Sequence, residues 1–209
     1  MNPAILAYVA LPGQLPPAIA ARLRELVPYG RRMRLPAAGA PAIASLLGIA
    51  LARVLLAEVM SAPAASLKLQ FPVRGKPVCP GGADFSLSHS GAWLAGIACA
   101  SARVGLDIEA TAPASCSARG ARRALADWTA REATLKACGT SLNEVREVQV
   151  HEAHCLWQKE RWWLARPQVP AGLVAALISE RPLAVSVRSL AWESLVAQLI
   201  ERPGQTACA

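Results

Sequence analysis

The sequence predicts an α+β fold in two halves. Helix and strand signals run in the order helix and strands, then helix and strands again. The strongest helix, residues 45–60, sits in the first set, and a small-residue, proline-containing stretch at 110–120 separates the two sets. The predicted division is therefore residues 1–109 and 110–209, and 209 residues are enough for one large domain or two small ones with real cores.

Taken in order, residues 5–11 are apolar and read as a first strand, stopped by Pro12, Pro16 and Pro17. Residues 18–27 place Ile19, Leu23 and Leu26 at helical spacing, with Arg22, Arg24 and Glu25 elsewhere on the surface. Pro36 and Pro41 frame a loop, after which the helix at 45–60 runs until just before Pro63. Residues 42–60 form the longest apolar stretch. Arg53 and Glu58 interrupt it, so it reads as a buried helix and not as a membrane span.

Residues 71–80 carry prolines and Gly75 and read as an extended loop. Residues 85–88 and 93–98 flank Ser90 and Gly91 as a hairpin. Residues 104–109 alternate cleanly: Val104, Leu106 and Ile108 on one face, Asp107 and Glu109 on the other. A helix at 129–138 is stopped by Gly139. Short strands follow near 147–151, 155–159, 162–166, 174–178 and 183–187, then a helix at 189–200. In the third of these strands, Trp162 and Trp163 read as core and surface neighbours.

A composition of 54% hydrophobic and 17% charged residues excludes a disordered chain. The net charge of +8, from 22 Lys and Arg against 14 Asp and Glu, favours an anionic partner. The basic residues are scattered, the nearest cluster being Arg31, Arg32 and Arg34, which is too short for a nucleic-acid arm. The six cysteines include no CxxC pair, which argues against a zinc site. The opening residues lack a secretory signal pattern, so a cytoplasmic location is expected.

Four segments carry chemistry. On a strand, Asp107 and Glu109 point the same way about 7 Å apart, which offers hard oxygen ligands of the kind magnesium prefers; a solvated acidic strand face is the competing explanation. On a helix, Glu132 and Lys136 share a face and could add a carboxylate and a phosphate-holding ammonium. Against that stand a capping box, Thr129-x-x-Glu132, and an ordinary i,i+4 ion pair. Ser88 and His89 could donate to phosphate oxygens, or serve only as a polar turn; a Ser–His hydrolase is the poorer choice, because no GxSxG elbow is present. Gly75-Lys76-Pro77 places one lysine in a stiff loop.

The ordered set GKP (75–77), FSLSHSGAW (85–93), VGLDIE (104–109) and WTAREATLK (128–136) resembles the 4′-phosphopantetheinyl transferase superfamily. The length is similar to that of its larger, surfactin-synthetase-activating (Sfp) type. The resemblance implies a pseudodimer of two similar α+β halves with the active site at their interface. It also implies transfer of the phosphopantetheine arm of coenzyme A to a serine of an apo carrier protein, leaving 3′,5′-ADP. By that resemblance Asp107, Glu109 and Glu132 bind Mg²⁺, and Glu132 is base for the carrier serine. Lys136 steadies the phosphate, while Lys76, Ser88 and His89 hold the nucleotide end of coenzyme A. Ser45 and Arg31 fall where the family has a hydroxyl and basic residues for the 3′-phosphate.

An acidic carrier protein is the expected partner, with no nucleic acid, no membrane and a monomeric state. Two departures stand out. Arg131 replaces the usual Lys before the Glu, and only 22 residues separate Glu109 from Glu132. The short segment motivates the alternative of a degenerate member that binds coenzyme A with little transfer. A basic nucleic-acid-binding module is the alternative from another class; it predicts affinity falling steeply with salt.

Overall fold

The structure is a computed structural model that describes residues 4–73, 75–111 and 118–200. The middle of the 110–120 linker, Cys116 and Cys208 lie outside the described residues. In chain order the elements are β1 (Ala4–Ala10), α1 (Pro17–Glu25), α2 (Tyr29–Arg32), α3 (Gly39–Met60), β2 (Asp84–Ser90), β3 (Trp93–Cys99) and β4 (Val104–Ala110). They continue with α4 (Ala118–Cys138), β5 (Gln149–Val150), β6 (His154–Trp157), β7 (Glu160–Ala165), β8 (Leu173–Ser179), β9 (Val185–Leu190) and α5 (Trp192–Ile200). The predicted α+β class holds.

Two sheets form, ordered β2-β3-β1-β9 and β4-β8-β7-β6-β5. Each repeats one path: a strand, a long helix, then a hairpin whose second strand returns antiparallel beside the first. In the first sheet these are β1, α3, β2 and β3; in the second they are β4, α4, β7 and β8. The sheets also exchange elements across residue 110, since β4 heads the second sheet and β9 closes the first, parallel to β1.

Strand alternation sorts the side chains into layers. Ile5, Ala7 and Val9 of β1 pack under α3, while Leu6 and Tyr8 face the second sheet. There they meet Leu106 and Ile108 of β4 and Leu177 of β8. Beyond the second sheet, Ala133 and Ala137 of α4 pack on Ile178 and Trp162. The order of layers is thus helix, sheet, sheet, helix. Trp162 is buried and Trp163 is half-exposed, the expected division of that pair.

Helix α3 is long and apolar enough to cross a membrane by composition, yet 78% of its most apolar window is buried. Moving each Leu or Ile there out of water contributes about 1.5–3 kcal/mol. Its start corrects the sequence reading, which began it at residue 45. Gly39 opens it and Pro41 falls in the first turn, where the N–H has no helical partner to lose. Buried Arg53 donates to the carbonyls of Ala64, Leu67 and Leu26, tying three segments to the helix. Burial pulls its guanidinium below the usual range.

Helix α4 begins 11 residues before the predicted start, at Ala118. Residues 118–128 are mostly Ala and Arg, strong helix formers. The extension removes the capping box, because Thr129 lies inside the helix and its hydroxyl donates to the Leu125 carbonyl at 2.6 Å. Gly139, at φ +74°, ends the helix as predicted.

The sheets meet at their edges, β2 against β4, through side chains and not through a backbone ladder. Asp84, Ser86, Ser88 and Ser90 accept from the N–H groups of Val104, Leu106, Ile108 and Ala110 at 2.7, 3.0, 3.3 and 3.0 Å. Four edge donors that need partners are satisfied in this way.

Candidate functional site

The even residues of β4 face the second sheet's partner, so the odd residues Gly105, Asp107 and Glu109 face α4. Gly105 lets the helix in close: a Cβ there would lie 2.0 Å from the Ala133 carbonyl oxygen and 2.5 Å from the Ala137 nitrogen. That approach brings Lys136 onto Asp107.

Asp107 is 2% exposed. Its Oδ1 accepts from Lys136 Nζ at 2.6 Å and from Ser88 Oγ at 2.7 Å. Lys136 also donates to Ser88 Oγ at 3.2 Å. Oδ2 of Asp107 is buried with no hydrogen-bond partner, an expensive position for a carboxylate oxygen. Two residues along, Glu109 accepts from Ser90 Oγ at 2.7 Å. Glu132 lies one turn before Lys136. Burial lifts its carboxyl above the ordinary range, and Asp107 and Glu109 push the same way; Lys136 and a hydrogen bond from Trp128 oppose. The three carboxylates therefore share one neighbourhood, while the Lys136 ammonium pairs with Asp107.

Among the described residues, no three His, Cys, Asp or Glu side chains are already drawn together as a cation cage. The donor set nevertheless fits a hard divalent cation: all-oxygen ligands, one of them a buried oxygen with no partner.

Glu132 gives a pH signature. The folded chain holds its proton more tightly than the unfolded chain. The associated stability is complete below the ordinary carboxylate range and is lost as pH rises through the raised folded value. Glu132→Gln is therefore expected to melt higher than the parent at neutral pH and alike at acid pH. Thermal melts across that range check it; equal melting temperatures at neutral pH would remove the desolvated-carboxylate description.

Two adjoining cavities flank the cluster. One of about 230 Å³ is lined by Lys136, Thr140, Leu142 and the Gly75–Pro77 loop. The other, about 370 Å³, is lined by Arg31, Arg34, Ser45, Ser88 and His89. They share Gly75, Pro77 and Leu87 in their walls. Lys136 belongs to one and Ser88 to the other, and both are bonded to Asp107, which is buried behind them and lines neither.

The residues singled out by sequence thus converge, with three changes of detail. Ser88 is fully used by Asp107, Ile108 N–H and Lys136, so it positions Asp107 and has no proton left for a phosphate. Lys76 lines the first cavity, but its ammonium donates to Asp84 at 2.5 Å and to the Val104 carbonyl at 2.6 Å. Burial pulls it below its ordinary range, and Asp84 opposes. Arg131 turns away from the carboxylates and donates to the carbonyls of Val145, Arg146 and Val148, latching residues 142–148 to α4. All three contacts come from Nη1, the shortest being to the Val148 carbonyl at 2.5 Å.

His89 is exposed and lines the second cavity, as Ser88 does, and among the described residues no hydrogen bond joins the two. Arg34, Ser90, Asp84 and Gly105 were not assigned roles from sequence. The period-two spacing of Asp84, Ser86, Ser88 and Ser90 was the available signal for the row on β2. Compared with family models and with curated proteins, the chain matches none.

Proposed function

We propose that the protein is a 4′-phosphopantetheinyl transferase, a pseudodimer of two α+β halves that modifies carrier proteins at the junction between them. The repeated strand–helix–hairpin path of the two sheets supports the pseudodimer. One observation carries the function. Ser88, Asp107 and Lys136, from three separate motifs, are bonded to one another, and Lys136 and Ser88 each line one of two adjoining cavities.

In this reading the carrier serine oxygen bonds to the β-phosphorus of coenzyme A. The bond to the α-phosphate oxygen breaks, and 3′,5′-ADP leaves. Glu132, whose carboxyl is lifted above the ordinary range by burial and so made more basic, takes the serine proton directly or through a water. Lys136 moves charge toward the diphosphate and the departing ADP. Mg²⁺ held by Asp107, Glu109 and Glu132 would neutralise the diphosphate. Arg31, Ser45 and His89 line the cavity that would take the nucleotide end. The net charge of +8 suits an acidic carrier.

Incubation with coenzyme A, Mg²⁺ and an apo carrier protein, read by mass spectrometry, tests the function. His89→Ala is expected to raise the KM for coenzyme A on the order of tenfold, one charge-assisted contact, with kcat and melting temperature little changed because His89 is exposed. A lower melting temperature with unchanged KM would make His89 a turn residue.

A further inference from the structure

The row of polar side chains on β2 does two different jobs. Ser86 bonds only to the Leu106 main chain, accepting at 3.0 Å and approaching the carbonyl at 3.5 Å. Ser90 accepts from Ala110 N–H at 3.0 Å and spends its single proton on Glu109 Oε2 at 2.7 Å. Glu109 lies near the end of β4 and is only partly buried. Its carboxylate has several rotamers available, and every one that must be frozen weakens binding to whatever it holds.

We propose that Ser90 is a positioning residue for Glu109: it anchors one carboxylate oxygen to the β2 edge and leaves the other turned to a divalent cation shared with Asp107. Ser88 does the same for Asp107 at the previous register position, bonding Oδ1 while Oδ2 stays without a partner. The two serines, two apart on β2, thus grip two acids, two apart on β4. Each pair spans 19 residues, so one strand edge sets both ligands. This inference rests on the carboxylates being cation ligands.

Mn²⁺ alone, titrated calorimetrically into the full chain, is the probe. Ser90→Ala is expected to weaken Mn²⁺ binding about tenfold, the usual scale for losing a group that orients a ligand, and Ser90→Thr to restore it. Ser86→Ala loses a main-chain contact of the same row and is expected to lower the melting temperature with Mn²⁺ affinity unchanged. Ser90→Ala binding Mn²⁺ as tightly as the parent would overturn the positioning role and leave the serine a stitch between sheets. A parent chain that binds no Mn²⁺ would overturn it differently, by removing the carboxylate site itself.

Discussion

Asp107→Ala is expected to cut transfer at least about a hundredfold at saturating Mg²⁺, with the protein still folded. The side chain is held by Lys136, which lines one cavity, and by Ser88, which lines the other. Removing it takes away one hard-oxygen ligand and the counter-charge of Lys136 together. The structural cost is bounded. Lys136 keeps about a quarter of its side chain exposed, so water can reach the ammonium, and losing such a buried partner costs about 1–3 kcal/mol. Domains of this kind have about 5–15 kcal/mol in hand. Initial rates and a thermal melt on the same preparation separate the two effects. Substantial activity retained by a folded Asp107→Ala would end the assignment of the carboxylates as the reacting centre.

Gly105→Ala is expected to be the most damaging single methyl in the chain. The added Cβ would meet backbone atoms of α4 at 2.0 and 2.5 Å, where no rotamer change can relieve it. The helix cannot back away cheaply, because Arg131 latches it to residues 145–148 and Lys136 ties it to Asp107. Overpacking of this kind costs about 3 kcal/mol or more, a fall in melting temperature of about 6–12 °C for a chain this size. Any variant that folds would hold α4 further from β4 and part Lys136 from Asp107, so transfer falls as well. An unchanged melting temperature would mean that the helix–strand approach is not tight.

Much of this was legible from local pattern. The alternation of residues 104–109 put Asp107 and Glu109 on one face, and the structure keeps it. Gly139 stopped its helix, and Trp162 and Trp163 divided between core and surface. What escaped was set by partners distant in sequence. The serine row on β2 reads as a polar turn until β4, about twenty residues on, supplies N–H groups and carboxylates. Pro41 looked like a breaker because its tolerance depends on being in the first turn. Lys76 and Ser88 are of the types that hold phosphate, but nothing local reveals that Asp84 and Asp107 occupy them. Arg131 reads only as a replacement for the usual Lys before Glu132. Its three carbonyl acceptors, 14 to 17 residues downstream, make it a latch.

The most direct test is mass spectrometry of an apo carrier protein incubated with this chain, coenzyme A and Mg²⁺, beside an EDTA control. The carrier is predicted to gain one phosphopantetheine group on its serine, with the gain lost in EDTA, as expected for metal-dependent phosphoryl transfer. No gain across several carriers, with coenzyme A still bound, would contradict the transferase and leave a coenzyme A-binding protein.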